Sequence, residues 1–125
     1  MAAATLAADE LATDIVVLDL RTLSDVVDFF VIASSPSDMH LHAIASGIED
    51  GLRHKGTAPH HREGGAGSRW ILLDYIDVIV HLMHPSIRTF YSLEELWGDA
   101  PTRRVETRRL SSEISDGIDL DDIDA

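Results

Sequence analysis

At 125 residues with 45% hydrophobic side chains, the chain is the size of one domain and can bury a core, which excludes disorder throughout. It contains no cysteine, so disulfides, a thiol nucleophile and a zinc–thiolate site are all excluded. A formal net charge of -12, from 10 basic against 22 acidic residues, disfavours direct binding to RNA or an anionic membrane and favours a basic protein partner.

No apolar run reaches the roughly 18 residues of a membrane span. The Ala-rich start carries Asp9 and Glu10 and no basic n-region, so a cytoplasmic protein is expected. Segment 5–13, with Leu6 and Leu11, predicts a short helix docked at one edge. Ile15-Val16-Val17-Leu18 within 14–20 predicts a buried strand, and Val27-Asp28-Phe29-Phe30-Val31-Ile32-Ala33 predicts a second. Ser37 or Asp38 then opens a helix whose Leu41, Ile44, Ala45, Ile48 and Leu52 share one face, with Lys55 in its last turn and Gly56 as its stop. Gly47 and Gly51 in that helix mean either close packing or local weakness. Segment 57–68, with Pro59 and three glycines, predicts a loop with a short edge strand near Ala58.

Segment 69–83 is the most apolar in the chain. Trp70–Leu73 and Val78–Leu82 are each too short for a helix, and Val78, Ile79 and Val80 are β-branched. Asp74-Tyr75-Ile76-Asp77 between them predicts a turn. The result is an antiparallel hairpin, apolar on both faces and set mid-sheet. Ser92-Leu93-Glu94-Glu95 predicts a capping box opening a short helix to Trp97, with Phe90 and Trp97 in the core. Beyond Ala100 the apolar content falls: residues 101–125 predict an acidic tail, disordered over 111–125, where six acids stand without a base. The whole predicts an α/β domain over 1–100, a mixed sheet with flanking helices.

Few residues form a constellation that carries chemistry. His40 and His42 point about 200° apart on a helix and do not share a metal. His60 and His61 diverge if extended, and His81 with His84 lacks a third ligand. His81 is better read as a strand residue with a polar partner. Asp74 and Asp77 resemble a paired-acid site but fit turn hydrogen bonding better. Ser34-Ser35-Pro36-Ser37 has no glycines of a nucleophile elbow and no phosphate-binding lysine. Tyr75, at the hairpin tip between two acids, is expected to stand exposed as an interface anchor for a basic partner.

Three blocks are more specific. Asp28-Phe29-Phe30-Val31-Ile32-Ala33-Ser34, then Trp70-x-Leu72-Leu73-Asp74-Tyr75-x-Asp77-Val78-x-Val80-His81, then Arg88-x-Phe90-Tyr91-x-Leu93-Glu94-x-Leu96-Trp97 resemble the ribosomal silencing factor (Iojap-like) family. The resemblance runs from about Leu6 to Ala100. It implies a nucleotidyltransferase-like α/β fold without catalytic activity, metal or cofactor. It implies binding to ribosomal protein fourteen of the large ribosomal subunit, with little or no direct rRNA contact and no membrane. The bound factor would block joining of the small subunit and lower translation under nutrient limitation; off the ribosome a homodimer is compatible with it. The candidate partner-contact residues are Trp70, Asp74, Tyr75, Asp77 and His81. The competing expectation is a nucleotidyltransferase-like enzyme or nucleotide sensor built on Asp74, Asp77 and the serine turn. Ile76 departs from the pattern, since a small or polar residue such as Gly is expected in that turn.

Overall fold

The computed structural model describes residues 1–107. The elements are α1 (Ala2–Asp9), β1 (Thr13–Asp19), β2 (Phe29–Ser34), α2 (Asp38–His54), β3 (His61–Glu63), β4 (Trp70–Asp74), β5 (Val78–Met83), α3 (Pro85–Tyr91), α4 (Leu93–Leu96) and β6 (Thr102–Val105). The strands form one sheet in the order β3-β4-β5-β2-β1-β6. β2 and β5 run parallel, from Phe29 beside Val78 to Ser34 beside Met83, and every other neighbouring pair is antiparallel. The expected mixed α/β sheet is present, with the hairpin β4–β5 inside it.

Alternation along each strand divides the core in two. One face carries Ile15, Val31, Ala33, Ile71, Leu73, Val80 and Leu82, all buried under α1 and α2. Ser37 caps α2 by accepting from the His40 N–H, and the expected stripe Leu41, Ile44, Ala45, Ile48 and Leu52 is the buried one. The two helical glycines have a packing cause. A Cβ at Gly51 would meet Leu6 of α1 at 2.5 Å, and one at Gly47 would overlap the Glu10 side chain. The opposite face buries Val16, Leu18, Ile32 and Met83, with Ile87, Leu93 and Trp97 packed against them. α3 and α4 are short, and they leave part of this second face open.

Four expectations are corrected. The edge strand lies at His61–Glu63 rather than near Ala58. The boundary expected after Ala100 moves outward, because β6 completes the sheet by pairing with β1; segment 108–125, including the acidic stretch, lies outside the described residues. The capping box does not form. Ser92 takes a left-handed conformation with φ of 47° and donates its hydroxyl to the Thr89 carbonyl instead. Phe90, expected in the core, is 78% exposed.

Candidate protein-docking face

The open part of the second face is aromatic. Trp70 and Leu72 of β4, Ile79 and His81 of β5, and Phe30 of β2 point there by strand alternation, and α3 adds Tyr91 and Phe90 at one side. The rings form a chain. Phe90 lies 5.0 Å from Tyr91, Tyr91 4.9 Å from Trp70, Trp70 5.9 Å from His81, His81 4.6 Å from Phe30, and Phe30 6.2 Å from Trp97, measured between centroids. Phe90, Tyr91 and Leu96 remain exposed along it. Contiguous exposed apolar surface on a small domain marks an interaction site.

At its centre the indole N–H of Trp70 donates to Nδ1 of His81 over 3.1 Å. His81 is only 5% exposed, and burial pulls its pKa down to about 4, so the ring is neutral. Because Nδ1 accepts, Nε2 holds the proton, and that N–H is buried without a partner. His81 therefore has the polar strand partner expected of it, but it is not an exposed contact.

The hairpin tip is organised differently. Oδ1 of Asp74 accepts from the Ile76 N–H at 2.7 Å, and the Tyr75 N–H donates to the Val78 carbonyl at 2.9 Å. The Asp77 N–H donates to the Tyr75 carbonyl at 2.9 Å, closing a γ-turn in which Ile76 has φ of 74°. Asp77 is exposed. Tyr75 is not the exposed anchor expected from sequence. Its ring packs against the core under α1 and α2, and its hydroxyl is buried without a hydrogen bond. Desolvation, with a smaller contribution from Glu49, raises its pKa. A ring at a turn can be buried when it folds back over the sheet.

Of the five candidate residues, the structure brings Trp70 and His81 together. Asp74, Tyr75 and Asp77 lie at the other end of the hairpin, with Tyr75 turned to the opposite face. Tyr91 and Phe90 adjoin this face as exposed rings, a placement that the sequence reading missed. The signal was present: α3 has seven residues yet carries Ile87, Phe90 and Tyr91, more apolar surface than so short a helix buries. The nucleotide-site residues are also separated. Asp77 adjoins the start of β5, while Ser34 ends β2 in parallel register, about 20 Å away by strand rise.

The serine turn is occupied by structural bonds. Ser34 Oγ accepts from Nη1 of Arg88 at 2.8 Å, and Arg88 also holds Glu94 through two bonds of 3.1 and 2.9 Å. His40 links Ser35 Oγ at 2.8 Å to the Glu10 carbonyl at 2.7 Å, tying α2 to the end of α1. Among the described residues there is no group of three metal-ligating side chains, and no helix is long and apolar enough to cross a membrane.

The comparisons with known proteins agree with one another. The family model described as "Ribosomal silencing factor during starvation" matches residues 1–121. A ribosomal silencing factor of Bacillus subtilis is 43% identical over 93 residues, covering 74% of this chain and 79% of the relative. The mouse protein named mitochondrial assembly of ribosomal large subunit protein 1 is 34% identical over 91 residues, covering 70% of this chain and 40% of the relative. A crystal structure of a Bacillus halodurans protein superposes with a TM-score of 0.72 at 33% identity, covering 83% of this chain and 94% of that one.

Proposed function

We propose, from the premise that this chain belongs to the ribosomal silencing factor family, that it binds the large ribosomal subunit through ribosomal protein fourteen and blocks joining of the small subunit. Its action is that of a steric, non-catalytic repressor of translation under nutrient limitation, working in the cytoplasm. The observation that carries this reading is the open aromatic face on an acidic domain. Exposed rings supply the desolvated centre of an interface, and the net charge of -12 suits a basic ribosomal protein better than rRNA. The relative named for large-subunit assembly supports the choice of subunit.

Within that reading, Trp70 with Tyr91 and Phe90 forms the centre of the contact, and Asp74 and Asp77 form its acidic rim. Tyr75 supports the rim from behind. Off the ribosome, the same exposed rings are what a homodimer would cover. The enzyme reading loses support because the residues it needs stand at opposite ends of the sheet.

The test is titration of the full chain with purified large subunits and with ribosomal protein fourteen alone, beside a subunit-joining assay. Trp70→Ala should weaken both interactions by about 2 kcal/mol or more, roughly thirtyfold, as truncation of a central aromatic does. Asp77→Lys should act in the same direction through charge repulsion. Wild-type protein that binds neither target, or leaves subunit joining unchanged, would overturn the proposal.

A further inference from the structure

We propose that His81 is a positioning residue for docking: it fixes the indole of Trp70 in the orientation that the partner meets, without touching the partner itself. The inference rests on the reading of the aromatic face as the docking surface.

Trp70 is only partly buried, so packing alone leaves its ring room to turn. The bond from its indole N–H to Nδ1 of His81, at 3.1 Å, removes that freedom. His81 suits the task because it cannot move. It stands on β5 between β2 and β4, with Ile32 and Leu72 as its cross-strand neighbours and the edge-on ring of Phe30 at 4.6 Å. A purely structural role does not explain an imidazole here. A phenyl or isobutyl group would fill the space without a buried, unpartnered Nε2–H, a group that ordinarily costs stability. What the imidazole supplies at this position, and a phenyl or isobutyl group does not, is an acceptor aimed at the indole. The unpartnered N–H is the consequence, since a neutral ring that accepts at Nδ1 must hold its proton at Nε2.

The experiment is a double-mutant cycle on the full chain, read by titration with purified ribosomal protein fourteen and by the indole N–H signals in nitrogen-15 NMR. His81→Phe should fold with a thermal midpoint at or above wild type. The Trp70 indole signal should move upfield, and the dissociation constant should rise about tenfold. His81→Asn places a carboxamide oxygen near the position of Nδ1, and it should restore the indole signal and bring affinity back to within about threefold of wild type. Trp70→Phe, which lacks the N–H, should lose affinity comparably, and Trp70→Phe combined with His81→Phe should be no worse than either alone. Should His81→Phe fail to fold, His81→Leu takes its place in the cycle.

Normal affinity in His81→Phe with a shifted indole signal would overturn the proposal, as would fully additive losses in the double variant. Failure of the underlying reading is distinguishable. If Trp70→Ala itself binds normally, the face is not the docking surface. If Trp70→Ala binds weakly while His81→Phe binds normally, only the positioning role falls.

Discussion

Ile76 holds a backbone conformation, φ of 74°, that a β-branched residue adopts only under strain, and it does so with its side chain 59% exposed. Nothing in its packing offsets the cost. Ile76→Gly should therefore raise stability by about 1 kcal/mol, the relief of strain exceeding the entropy of the freer unfolded chain. Urea denaturation checks it, and a lower midpoint would mean that the isoleucine side chain holds the turn. His81 makes the protein acid-sensitive in a defined window. Its folded pKa of about 4 lies below the ordinary 6.5, so between those values the unfolded chain binds the proton and the folded chain does not. The contribution is complete above about pH 6.5 and is lost as pH falls toward about 4, a span of about 3 kcal/mol. Replacing His81 with Phe should flatten that part of the stability profile relative to wild type. Parallel profiles for the two proteins would refute the assignment.

At the scale of elements, the contact between α1 and α2 depends on side chains that are absent. Gly51→Ala would gain about 1 kcal/mol from helix propensity if only α2 mattered. The new methyl meets Leu6 at 2.5 Å, however, and overpacking of this kind costs about 1–3 kcal/mol. A net loss of about 1 kcal/mol is expected, with a lower thermal midpoint. A higher midpoint would show that α1 shifts freely. Gly47 is more tolerant, because what it faces is the flexible end of Glu10. On the other side of the sheet, Arg88 and Glu94 hold the turn between α3 and α4 where a capping box was expected. An ion pair across six positions replaces a local cap, and this arrangement leaves Phe90 and Tyr91 outside.

Across the whole molecule, charge governs encounter more than fold. With a net charge of -12, association with a basic partner should be steered at low ionic strength and slow as salt rises, while the domain stays folded. Stopped-flow association measured from low to physiological salt tests this, and a salt-independent rate constant would remove electrostatics from the encounter. The two faces divide the remaining tasks. α1 and α2 seal one side of the sheet and supply most of the core, whereas the side under α3 and α4 is closed only in part. Stability therefore resides mainly on the first side, and the second is the side on which the proposed docking would take place.

The sequence by itself determined strands β1, β2, β4 and β5, the buried stripe of α2 and the β4–β5 hairpin, because these depend on local composition and periodicity. Three matching blocks also carried the family. Only the tertiary structure decided which side of the hairpin is covered. Its strands are apolar on both faces, so alternation sorts residues between faces without saying which face a helix will close. The same limit hid the inward turn of Tyr75, the bond between Trp70 and His81, and the exposure of Phe90. It also hid β6: Thr102–Val105 is polar at three of its four positions, and its place in the sheet comes from pairing with β1, far away along the chain.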